Sequence, residues 1–210
     1  MSEFLSYDPW SQITTRNGIP GDEIISMLQK SIRRGLEKEA LDAAYEMYIT
    51  SPQFEEKLWR RLQVISVEDI GFGDVQAAVL VNTYNQLRQS FPYGDGDRPL
   101  FFVQAIRYLC RCAKERSSDC VKNLLIRDFE NGKKPEVPEY ALDMHTQRGK
   151  AAGKDVVHFL EEASKVSPPV EKDEYGYEEW RKKLLDAERG TGETPARPAA
   201  APFRYNAWQY

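Results

Sequence analysis

The chain has 210 residues, 41% of them hydrophobic and 30% charged, with 29 basic against 33 acidic side chains. A balance so near neutrality excludes a partner recognised by overall charge, so any nucleic-acid contact has to be a local patch. No run of about 18 apolar residues exists to cross a membrane, and no secretory signal is expected of Met1–Asp8, which has neither a basic nor an apolar stretch.

The predicted elements are helical throughout. Residues 1–18, with Pro9 and Gly18, read as irregular. Pro20, followed by Asp22 and Glu23, opens a helix to about Arg34 with Ile24, Ile25, Leu28 and Ile32 on one face, and Gly35 stops it. Glu37 to about Thr50 is a second helix burying Leu41, Ala44, Met47 and Tyr48, joined closely enough to the first to form an antiparallel hairpin. Ser51-Pro52 caps a third, to about Val67, with Phe54, Leu58, Leu62 and Ile65 on one face and Trp59 widening it. Asp74 caps a fourth, to about Ser90, apolar almost all round, which assigns it to the centre of a bundle or to a subunit interface. Residues 91–98 form a loop. Pro99 starts a fifth helix to about Lys114, and Ser117 or Ser118 caps a sixth to about Asn131, closed by Gly132. After an extended connector from Lys133 to Pro138, helices are expected over about 139–149 and 154–165, separated by Gly149 and Gly153. Ser167-Pro168-Pro169 breaks the chain, Tyr177 to about Glu188 forms a short charged helix, and 190–210 is a Gly/Thr/Pro/Ala-rich tail. The expected fold is all-α: an array of about six to eight helices in antiparallel hairpins over 19–166, with a linker, short helix and tail over 167–210. A core of that length needs no metal or disulfide.

The motifs argue mostly by exclusion. There is no Gly-x-x-x-x-Gly-Lys-Ser/Thr loop to cradle phosphates, no Gly-x-Ser-x-Gly elbow and no His-Glu-x-x-His. The only histidines are His145 and His158, so a catalytic relay has few possible members, and no catalytic residue, cofactor or metal is assigned. Cys110, Cys112 and Cys120 read as free thiols on helices in a reducing, cytoplasmic compartment; a zinc site would need four ligands at recognised spacings. Glu68-Asp69 invites an acid–base or magnesium reading. Adjacent helical residues point about 100° apart, however, so Asp69 is expected to bond backbone at a corner and Glu68 an arginine. Asp95 and Asp97 lack the acid that would close a calcium loop and read as a loop tip.

Three basic clusters stand out. Lys30/Arg33/Arg34 is one. Arg60/Arg61 is flanked by Glu55 and Glu56 and is expected to pair with acids within the helix or across subunits. Arg148/Lys150/Lys154, with His145, Gly149 and Gly153, is the most phosphate-like. The run 203–210 places four aromatics in eight residues, suited either to stacking on single-stranded bases and partner grooves or to packing on its own domain.

Taken together, these residues resemble the C-terminal domain of the MgsA/RarA family of AAA+ ATPases, relatives of the Werner-helicase-interacting protein. Met27–Gly35 with Glu39–Tyr45 resembles the family's Lys-Ser-Ile-Arg-Gly helix and the alanine-rich helix after it. Arg60-Arg61-Leu62 through Glu68-Asp69-Ile70-Gly71 and Asp74-Val75-Gln76-Ala77 is the closest match. Ala105–Leu109 resembles the next helix, and Pro138–Thr146 with Arg148-Gly149 a variant of shorter relatives. The resemblance covers about residues 22–160. It implies a domain that assembles tetramers beside a nucleotide-hydrolysing module at stalled replication forks, in contact with single-stranded-DNA-binding protein and the clamp-loading machinery. The chain departs from the family in two ways. It contains no ATPase module, and the Pro-Lys-Ser-Asn turn is replaced by Lys114-Glu115-Arg116-Ser117-Ser118-Asp119. The expected function is a non-catalytic oligomerisation and interaction domain, with Arg60, Arg61, Glu68, Asp69, Gly71 and Asp74 as its structural or contact residues. The alternative is a nucleic-acid-binding accessory factor using His145, Arg148, Lys150, Lys154 and the aromatic tail.

Overall fold

A computed structural model describes residues 9–192, so the aromatic run 203–210 lies outside the described residues. Among them are nine α-helices and no strand, an all-α fold as expected. The chain divides into two compact units at Lys133/Lys134.

The first unit is built on α1 (Gly21–Arg33), α2 (Glu37–Thr50), α3 (Pro52–Ile65), α4 (Ala77–Leu87), α5 (Pro99–Arg111) and α6 (Ser117–Glu130). Gly35 ends α1 at φ +70°, a left-handed conformation that costs glycine little, and the Leu36 N–H returns to Ser31 O at 2.9 Å. Ser51 accepts the Phe54 N–H at 3.3 Å, the cap that Ser51-Pro52 predicts. The core joins Leu28 and Ile32 of α1, the small Ala40, Ala43 and Ala44 of α2, Leu58, Trp59 and Leu62 of α3, and Phe102, Ala105, Ile106 and Leu109 of α5, all buried. On α5 those four residues repeat at the spacing of a single helix face.

Two expectations need correction here. Asp74 does not cap the fourth helix directly: it heads a turn, accepting the Gln76 N–H at 3.0 Å on its carboxylate, and α4 begins at Ala77. Nor is α4 central. Only Ala77 and Val81 of it are buried, while Val75 and Val79 beside them are 66% and 59% exposed. The core takes one face of this helix, with Tyr84 packed against it, while Val79 and Leu87 meet solvent.

The pairing expected of Glu55 and Glu56 is also different. The acids look away from Arg60 and Arg61 toward Arg88 and Arg98, far along the chain. Arg98 Nε donates to both Glu55 oxygens at 2.9 and 3.1 Å, Arg88 Nη1 lies 3.4 Å from Glu55, and Arg88 Nη2 donates to Glu56 at 2.6 Å. Arg98 also donates to the carbonyls of Arg88 and Phe91, and the Arg88 guanidinium stacks over Trp59 with 5.6 Å to the ring centroid. This network holds the 88–98 loop on α3.

In the second unit, the segment expected as a helix over 139–149 is a 3-10 turn, Glu139–Ala141, then irregular chain to α7 (Gln147–Ala151). Asp143 and Thr146 side chains bond nearby backbone and compete with a continuous helix: the Asp143 carboxylate accepts the His145 N–H at 2.9 Å, and Thr146 Oγ1 accepts the Gly149 N–H at 3.0 Å as the cap of α7. α8 (Val156–His158) runs into a π-helical turn, Phe159–Ala163, and α9 (Tyr177–Glu188) forms where the sequence places it.

Candidate functional site

Between α3 and α4 the chain makes a π-helical turn, Ser66–Ile70, then a 3-10 turn, Gly71–Gly73. Gly71 sits at φ +52°, and a Cβ on it would stand 2.5 Å from the Glu115 carbonyl oxygen. A Cβ on Gly73 would stand 2.4 Å from the Ala113 carbonyl oxygen. Both glycines are therefore required by the α5–α6 connector, which lies across them. The Glu115 N–H donates to the Asp69 carbonyl at 3.1 Å. The Glu115 carboxylate is held below the usual range, chiefly by the Ser117 N–H, with Phe72 N–H assisting.

Above this contact sits a compact ionic cluster. Asp69, fully buried, takes Arg33 Nε at 2.5 Å and Gln29 Nε2 at 3.0 Å. Glu68 takes the same Gln29 amide at 2.8 Å and Arg33 Nη2 at 3.3 Å. Arg61 donates to Gln29 Oε1 and lies 3.8 Å from Glu68. Arg116 completes the cluster: Nη2 reaches Glu68 at 3.5 Å, and Nε lies 3.1 Å from Asp69 as an ion contact outside hydrogen-bond geometry. The two carboxylates thus share one set of cations, contrary to the divergence expected of neighbours on an α-helix. Gln29 and Arg33, one turn apart on α1, are long enough to reach both, and the wider π turn places the acids side by side. Asp69 meets side chains with its carboxylate and backbone only with its carbonyl.

Of the residues singled out in the sequence, Arg33, Arg61, Glu68, Asp69 and Gly71 meet here. Asp74 lies beyond the glycines, where it accepts the Tyr108 hydroxyl at 2.5 Å and a Cys112 Sγ contact at 3.6 Å. The Tyr108 hydrogen bond holds Asp74 below its usual range and pushes Tyr108 up. Burial pushes the Cys110 thiol up to about 11 and raises Cys112 as well. Arg60 is exposed and joins none of these contacts. Gln29, Arg116 and Tyr108 were not found as site residues by sequence reasoning, and Arg33 was named only within the Lys30/Arg33/Arg34 basic cluster. For Arg33 and Arg116 the available signal was a buried-facing acid pair that needed more cations than Arg60 and Arg61 supply.

The connector leads directly into α6, whose 14 residues include none that is buried. Val121, Leu124, Leu125, Ile126 and Phe129 are between 47% and 61% exposed. At 100° per residue they cover one broad face centred on Leu125. A groove of about 500 Å³ runs beside it, lined by Phe72, Ser117, Ser118, Val121, Lys122, Leu125 and Ile126. A smaller one, of about 240 Å³, joins Val67, Phe72 and Val75 to Ser118. The apolar surface is thus continuous from the corner onto α6.

Residues 48–183 match the family model described as MgsA AAA+ ATPase C terminal. The chain belongs to that family. It is similar to the Replication-associated recombination protein A of Bacillus subtilis (strain 168), with 28% identity over 134 residues, 64% of this chain and 31% of that protein. The chain therefore spans about a third of the length of that relative. The part common to the MgsA family contains the corner, α4, α5, α6 and most of α9; the partners of the acids on α1, Gln29 and Arg33, precede it.

The MgsA-family match also takes in the basic residues of the second unit. The Lys154 side chain is only 13% exposed, and its Nζ donates to the Glu139 carboxylate at 2.5 Å and its carbonyl at 3.3 Å, so its charge is committed. His145 Nδ1 lies 2.9 Å from Asp143, and its ring meets Phe159 edge-on with centroids 5.3 Å apart. Arg148 and Lys150 are exposed on the five-residue α7. The glycine between them is no flexible stop: a Cβ on Gly149 would stand 1.9 Å from the Asp143 carbonyl oxygen, so tight packing dictates it. Among the described residues no group of three or more His, Cys, Asp or Glu is placed to hold a metal ion, and no helix is long and apolar enough to cross a membrane.

Proposed function

We propose that this domain is a non-catalytic assembly domain of a replication-associated ATPase system, and that copies of it associate through α6 and the apolar residues flanking its first turn. The observation that carries the reading is a 14-residue helix with five large apolar side chains about half exposed. Full burial of such a side chain contributes about 1.5–3 kcal/mol, so covering the exposed halves of five contributes about 4–7 kcal/mol per copy. Two faces meeting contribute about 8–14 kcal/mol, comparable with the roughly 4–15 kcal/mol that association costs. Val67, Phe72 and Val75, 53%, 74% and 66% exposed, are the margin that makes the contact stable. The clustered ion pairs at Glu68 and Asp69 support a structural role: each carboxylate is occupied by cations, and Asp69 is fully buried.

On this reading the ATPase belongs to a longer protein or to a separate partner, and the assembled domain, a tetramer by the family resemblance, gathers those modules. Single-stranded-DNA-binding protein and clamp-loader components are the partners that the same resemblance proposes. Direct nucleic-acid binding through Arg148, Lys150 and Lys154 draws less support, because Glu139 already neutralises Lys154.

Light scattering after gel filtration tests the proposal. The protein at tens of micromolar should run larger than a monomer, and Leu125→Glu should weaken association at least about tenfold by charging the centre of the face. A strict monomer overturns the assembly reading.

A further inference from the structure

Among the described residues, the hydrogen bonds and ion pairs that join α6 to the chain before it are made in its first turn. A helix of 14 residues is marginal by itself in water, so its order and direction come from that attachment. One guanidinium spans it. Arg116 lies against Glu68 and Asp69 on the corner, at 3.5 and 3.1 Å, and donates through Nη2 to Asp119 in the first turn of α6 at 2.5 Å. Asp119 carries the connection onward, accepting Lys122 at 2.9 Å and Asn123 at 3.2 Å.

We infer that Arg116 is the positioning residue of the association surface: it clips α6 to the acidic corner at a fixed angle, so that the face around Leu125 and the corner residues Val67 and Phe72 present as one surface. The consequence for assembly rests on the function proposed above; the clip itself does not. Removing Arg116 leaves Asp69 and Glu68 with Arg33, Gln29 and Arg61, so the body keeps its counter-charges. An ammonium in its place reaches one or two of the three carboxylates but lacks the rigid fork that reaches all of them.

The test is pulsed hydrogen exchange on the full chain in a Leu125→Glu background, at a concentration where light scattering finds every variant monomeric. Adding Arg116→Ala should speed exchange over residues 121–130 about tenfold, the scale expected for loss of a charged hydrogen bond. Exchange in α1–α3 should stay unchanged, and Arg116→Lys should fall between. Equal α6 exchange with and without Arg116 overturns the clip. In the otherwise unaltered chain, Arg116→Ala should raise the concentration for half-association about tenfold; faster α6 exchange with an unchanged midpoint overturns its role in assembly. If the unaltered chain does not associate at all, the assembly reading falls while the exchange comparison still decides the clip.

Discussion

Asp69 shows how a single buried charge organises its surroundings. It has no exposed surface, yet the cations that hold it are partly hydrated, Arg33 at 26% and Arg116 at 38%. Removing one member of a fully buried pair costs about 3–5 kcal/mol; partial hydration of the partners lowers that here. Asp69→Asn, which keeps shape and removes charge, should destabilise the first unit by about 2 kcal/mol. Glu68→Gln, at a side chain 22% exposed, should cost less than about 1 kcal/mol. Urea unfolding midpoints at constant slope measure both. An equal effect of the two changes would contradict the burial argument.

Between elements, the Glu55 network does for α3 and the 88–98 loop what the corner does for α1, α3 and α6. Arg88 is 2% exposed and Arg98 10%, so a neutral residue in place of Glu55 would leave Arg98 without a carboxylate and Arg88 with Glu56 alone. Glu55→Gln should cost about 3 kcal/mol, and Glu56→Gln, 54% exposed, about 0.5 kcal/mol. Thermal melts of the two variants would separate them clearly. The sequence announces the helices that this network joins, because α1, α2, α3 and α5 each carry apolar residues at helical spacing, with a proline before the first turn of α1, α3 and α5 or at its start. It does not announce the network. Glu55 meets Arg98 across 43 residues, and nothing in a local pattern separates that pairing from one with Arg60. The same limit hid Arg116 and made α4 look central, since apolar content does not say how many faces the core can cover. At Glu139–Gln147 the spacing favoured helix, but local bonds from Asp143 and Thr146 prevailed.

For the whole molecule, the match over residues 48–183 puts the chain in a family of AAA+ ATPase C-terminal domains. The proposed association would place exposed apolar surface on α6, and its tether at the corner, under the same requirement: both must hold for copies to meet in register.

The attachment at one end also sets a phase. Nine positions separate Arg116 from Leu125, and each adds about 100° of rotation. Two alanines inserted after Asn123 would swing Leu125 and the residues beyond it by about 200°, away from the corner, without touching any contact that folds the body. Seven would return the face to within about 20° of its original bearing, one heptad farther out. Association measured on the two insertions should therefore be lost with two residues and largely regained with seven. What the corner fixes is a direction, and α6 behaves as a shaft whose useful side depends on counting residues from its bearing.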